Sequence, residues 1–176
     1  MLLSTRSIHA RSERVCWGCM LLLLFGPALA GAQSSLVLHL PMEDAVNPAD
    51  ASADAATVAV HGTLAVADGQ FGTNGLEFNG DPANRLEVTS SPKLEGMSAL
   101  TIEAWALGRN VAAYEGMSIA SKRIAHTNGD CYNLFTFTNQ LVNARVNANG
   151  GSAMISTTAI EEYTWYHIAF TFDGQG

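Results

Sequence analysis

Ala99-Leu100-Thr101-Ile102-Glu103-Ala104-Trp105-Ala106-Leu107 is the stretch on which the fold turns. Ile102, Ala104 and Ala106 fall on one face of an extended chain, and Glu103, Trp105 and Leu107 on the other. That period of two predicts a strand. Trp165 to Phe172 repeats the pattern, with Tyr166, Ile168, Phe170 and Phe172 on one face. Trp105 and Trp165 lie mid-strand among apolar neighbours and are expected in the core. A strand with one apolar face must cover it, and a second sheet is the usual cover.

The neighbouring sequence breaks into short β-prone runs separated by turn residues. Strands are expected at Leu36–Leu40, Thr57–Val60, Gly75–Asn79, Arg85–Thr89, Met117–Ser121, Cys131–Thr138, Leu141–Ala148 and Ala153–Thr157. Pro41 ends the first of these. Residues 43–56 carry Asp44, Asn47, Pro48, Asp50, Ser52 and Asp54 without periodicity, and read as a loop. Gly80-Asp81-Pro82 reads as a turn, and Asn149-Gly150-Gly151 as the turn of a hairpin. No segment has the pattern of an amphipathic helix. About ten short strands with frequent turns predict an all-β, antiparallel, two-sheet sandwich.

The chain has 176 residues, enough for one domain. Its formal net charge is −7, which argues against a nucleic-acid footprint. Arg6, Arg11 and Arg14 precede an apolar run from Val15 to Phe25, followed by Gly26, Pro27 and Ala28-Leu29-Ala30-Gly31-Ala32. This order predicts a secretory signal over residues 1–32, cut after Ala30 or Ala32. The run is shorter than the roughly 20 residues of a membrane span. An uncut membrane anchor is the alternative. Residues 33–176 then form the domain, with six basic and fifteen acidic residues and a net charge of −9. Cys16 and Cys19 fall inside the signal, so their redox-type spacing reads as chance. Cys131 is the one cysteine of the mature chain. It reads as buried, or as the partner of a cysteine outside this sequence.

Six sequence words share an order and spacing: Leu38-His39-Leu40-Pro41-Met42-Glu43-Asp44, His61-Gly62-Thr63, Gly75-Leu76-Glu77-Phe78-Asn79-Gly80, Arg85-Leu86-Glu87-Val88, Leu100-Thr101-Ile102-Glu103-Ala104-Trp105, and Trp165-Tyr166-His167-Ile168-Ala169-Phe170-Thr171-Phe172-Asp173-Gly174. Together they resemble the laminin G-like domain of the concanavalin A-like lectin and glucanase superfamily. The resemblance implies a jelly-roll sandwich of two curved antiparallel sheets. It also implies further strands after Asp173-Gly174, so the domain is expected to be incomplete at its C-terminus and part of a longer protein. Residues 33–176 alone are expected to be loosely packed, because the last strand would lack a partner.

The superfamily's glucanases use carboxylates spaced two and five apart along one strand. Glu103 is followed by Ala104, Trp105 and Ala106, and Glu161-Glu162 are adjacent, so they point to opposite faces. Glu77, Glu87 and Glu103 lie on different strands. Ser98 and Ser118 follow Gly96 and Gly116 but lack the second glycine of a nucleophile elbow. His39, His61, His126 and His167 have no metal-type spacing, and His167 reads as a hydrogen-bonded structural residue. The chain is therefore expected not to be an enzyme.

Binding residues are sought instead among polar and aromatic side chains. Asn143, Arg145 and Asn147 share one face of one strand, and Tyr114, Tyr132 and Asn133 are further candidates as aromatic or amide groups near loops. Such a row either lines a binding face or is the solvent face of a sheet. Glu43, Asp44, Asn47, Asp50 and Asp54 are the densest oxygen-rich segment. The resemblance implies a calcium ion at Glu43 and Asp44, with a late acidic partner beyond Gly176; a solvated acidic loop is the alternative. The expected function is a secreted or cell-surface binding or adhesion module for a glycan or an extracellular protein, attached to other domains of the same chain. In a bacterium the compartment could also be the periplasm. No membrane span is expected once the signal is cut. The alternatives are a purely structural accessory module, or a glycan-degrading enzyme whose catalytic part lies outside this sequence.

Overall fold

A computed structural model of the chain describes residues 2–3, 36–71, 74–113, 116–123, 130–146 and 153–174. Among these residues the strands are β1 Leu2–Leu3, β2 Val58–His61, β3 Ala65–Asp68, β4 Asn74–Glu77, β5 Arg85–Val88, β6 Leu100–Leu107, β7 Met117–Arg123, β8 Asp130–Thr136, β9 Leu141–Val146, β10 Met154–Ala159 and β11 Trp165–Phe172. Pro92–Leu94 and Val111–Ala113 are single 3₁₀ turns. No helix among the described residues is long and apolar enough to cross a membrane.

The strands form a five-stranded sheet in the order β11-β6-β1-β4-β3, a four-stranded sheet in the order β10-β9-β8-β7, and a β2-β5 pair. Every pairing is antiparallel. The two sequence stretches with the strongest alternation pair along their full length, from Trp165 opposite Leu107 to Phe172 opposite Leu100. Residues directly opposite one another share a face. Ala104 and Ala106 therefore meet Ile168 and Tyr166, and the side chains of this face turn inward.

The core joins the two larger sheets. Ala106, Ile168 and Phe170 from one sheet cluster with Leu134 and Ala144 from the other. Val142 and Tyr166 pack against this cluster and also against a second one of Val111, Met117 and Ile160. Leu76 and Leu134 are almost wholly buried, and burying each contributes about 2 kcal/mol. The described residues thus amount to antiparallel sheets packed face to face, without a closed barrel.

Three expectations change. Leu36–Leu40 is not a strand. The His39 N–H donates to Asp50 Oδ1 (2.9 Å) and the His39 carbonyl accepts from Ala51 N–H (2.8 Å), so a loop takes the groups a strand partner would need. Ala65–Asp68 is a strand that its alanines and its nearness to Asp68-Gly69 concealed. Trp105 and Trp165 lie on the outer face of the five-stranded sheet, opposite His167 and Leu107. Their apolar neighbours in sequence point the other way, because alternation separates them.

Residues 4–32 of the predicted signal, and the Asn149-Gly150-Gly151 turn, lie outside the described residues. Leu2–Leu3 are strand-paired on both sides, with Leu76–Glu77 and with Ala106–Leu107. Strands β9 and β10, which that turn was expected to join, do pair antiparallel.

Candidate binding site

The polar row takes its place from the pairing of β8 with β9. Leu134 lies opposite Ala144, and both enter the core. The intervening pairs, Asn133 with Arg145 and Phe135 with Asn143, therefore project from the opposite face. Ser121 on β7 lies opposite Asn133, and Ile155 on β10 opposite Asn143, which extends this face across all four strands.

A sheet face turned away from the core is normally wet. This one is not. Asn133 is 3%, Asn143 5% and Phe135 7% exposed. The Arg145 guanidinium lies over the Phe135 ring, 5.2 Å from its centroid. Phe137, more exposed, meets Phe135 edge to face at 5.4 Å. Asn143 Nδ2 donates to the Leu141 carbonyl at 2.9 Å. Among the described residues, Asn133 Oδ1 and Arg145 Nε are buried without a hydrogen-bond partner. A buried polar atom left unpaired costs about 1–3 kcal/mol, so each demands a reason.

Of the residues expected to bind ligand, Asn143 and Arg145 come together here, with Asn133 beside them. Tyr132 does not join them. It lies opposite Val146, on the face that carries Leu134 and Ala144. Asn147 and Tyr114 lie outside the described residues. Phe135 and Phe137 were not singled out in the sequence, although their spacing from Asn133 (every second residue) puts all three on one face.

The acidic segment has its own organisation. Asp44 Oδ1 accepts from the Val46 and Asn47 N–H groups at 2.8 and 2.9 Å, and these bonds hold its carboxyl below the usual range. Asp54 pairs with Lys93. Glu43 offers its backbone carbonyl to Asn74 Nδ2 at 3.3 Å. Among the described residues no three His, Cys, Asp or Glu side chains converge as a cation site, and Glu43 and Asp44 gain no third carboxylate. Their two side chains alone supply fewer than the six to eight oxygens that a calcium ion takes.

Three of the carboxylates considered for catalysis are each matched to a base. Glu77 pairs with Arg109 at 2.9 Å, Glu87 with His61 at 2.9 Å, and Glu103 with His167 at 3.3 Å. His167 also lies against Trp105, with ring centroids 5.2 Å apart. Hydrogen bonds from Ser90 and Lys122 keep Glu95 ionised to lower pH than usual.

No family model, curated protein or solved structure matches this chain. The site therefore rests on its own geometry. A half-buried guanidinium stacked on an aromatic ring, with two buried amides beside it, can hydrogen-bond a polar ligand and stack on its apolar face.

Proposed function

We propose that this chain is a non-catalytic extracellular binding module that takes a glycan on the outer face of its four-stranded sheet. The observation that carries the reading is the Asn133–Arg145 pair, buried on a face turned away from the core and left with unpartnered polar atoms. Sugars present alternating hydroxyl and C–H surfaces. Amides and a guanidinium satisfy the first, and Phe135 with Phe137 suits the second. In this reading residues 1–32 direct export, and the sheets belong to a laminin G-like jelly roll that works beside other domains of a longer protein.

The test is a glycan array with the whole chain, run once with calcium and once with chelator. Binding to a defined set of oligosaccharides, reduced at least about tenfold by Asn133→Leu or Asn143→Leu, supports the reading. Binding that needs calcium would add Glu43 and Asp44 as ligands completed by groups outside this sequence. Silence of a folded sample overturns the glycan reading in favour of a structural module.

A further inference from the structure

Residues 33–176 contain six basic side chains. Four are neutralised locally: Arg85 by Glu87 at 3.5 Å, Lys93 by Asp54, Arg109 by Glu77 at 2.9 Å, and Lys122 by Glu95 at 3.0 Å. Arg145 is different. No carboxylate among the described residues is within ion-pair reach of it, although acidic residues outnumber basic ones in this chain. Its guanidinium carbon lies over the Phe135 ring, 5.2 Å from the centroid, with Nε buried and unbonded. Its cross-strand neighbour is Asn133, whose Oδ1 is likewise unpartnered.

A guanidinium presents a planar fork of donors, and a carboxylate is its closest bidentate match. The flanking amides favour a carboxylate attached to hydroxyl-bearing carbons, since Asn both donates and accepts. The surrounding charge sets a further limit. A chain with net charge −9 over residues 33–176 repels densely anionic polymers, so a single local cation suits isolated carboxylates between neutral sugars.

We propose that Arg145, with Asn133 and Asn143 beside it, is the subsite for the carboxylate of an acidic sugar within a glycan. This inference rests on the reading of the same face as a glycan site. The acid comes from either a uronate or a sialate residue, which carry the same group on different rings.

The experiment uses the whole chain against uronate-containing and sialylated oligosaccharides, each printed beside its carboxyl-reduced form. The expected result is binding to members of one of the two acidic sets, at least about tenfold stronger than to their reduced partners. Arg145→Gln removes that preference, and Arg145→Lys keeps part of it, because a point charge lacks the fork. Which set responds identifies the acid. Equal binding of acidic and reduced forms overturns the carboxylate subsite and leaves the glycan reading standing. Failure of every oligosaccharide, neutral ones included, overturns both. The acidic-against-reduced comparison is made on the unaltered chain, so it holds even if a variant misfolds.

Discussion

Thr136 is 2% exposed, and its Oγ1 has no hydrogen-bond partner among the described residues. It stands on the core face of β8, opposite Val142 and Met117. The hydroxyl is desolvated there on the face turned into the core, whereas Asn133 and Arg145 stand on the opposite face of the sheet. Thr136→Val keeps the shape and removes the unpaired group, so it is expected to stabilise the fold by about 1 kcal/mol. For a chain of this size that raises the melting temperature by about 2–4 °C. A drop in melting temperature would mean that the hydroxyl makes a bond in solution. The contrast shows what single residues disclose. Arg145 and Asn143 were legible as a row because alternation alone assigns them a common face. Burial of that face was not legible, since the sequence offers no sign that a polar row on a sheet is covered. Tyr132 falls on the other face because it differs in parity from Asn133.

Segments behaved according to how much of their structure is local. Strands β6 and β11 were legible because eight residues of alternation leave one reading. Leu36–Leu40 has equal β propensity but loses its backbone groups to Asp50 and Ala51, eleven or more residues away. Such capture depends on a loop conformation that no period encodes. Asp50 organises it: its carboxylate accepts from the His39, Ser52 and Ala56 N–H groups and from the Ser52 hydroxyl. Burial works to raise the Asp50 pKa, but the hydrogen bonds outweigh it and lower the value to about 2. A carboxyl held below its unfolded value contributes stability that is complete above that value. The contribution is therefore present above about pH 4 and lost as the pH falls through about 2. Asp50→Asn is expected to cost about 2 kcal/mol at neutral pH and to flatten this part of the acid profile. Urea melts of both forms at pH 2, 4 and 7 check it. Parallel profiles would show that Asp50 does not govern the loop.

At the scale of the molecule, the five-stranded sheet has one weak seam. Strands β4 and β6 do not pair with each other; each pairs antiparallel with β1, so they run parallel with one strand between them. That strand is only Leu2–Leu3, and it lies within the segment read as an export signal. The four-stranded sheet has no such dependence, since β7 to β10 pair in sequence order. Removing residues 1–32 takes the partner from Leu76–Glu77 and from Ala106–Leu107 together. Unpaired strand edges flanking a gap are open to water and to other chains. Amide exchange in a chain of residues 33–176 is therefore expected to quicken at least about tenfold at the one amide of Leu76 and Glu77, and the one of Ala106 and Leu107, that points toward β1, while Leu134 and Ala144 stay protected. The same sample should melt less cooperatively than the full chain. Unchanged protection at both of these amides would mean that another strand fills the gap after cleavage. Leu36–Leu40 is the first segment to examine, because Glu43 is already tied to Asn74 at the end of β4. Taking that place would require His39 to give up its bonds to Asp50 and Ala51, so its own amide protection would shift together with that of those two amides. Site-resolved exchange on the two chains separates a seam left open from a seam refilled.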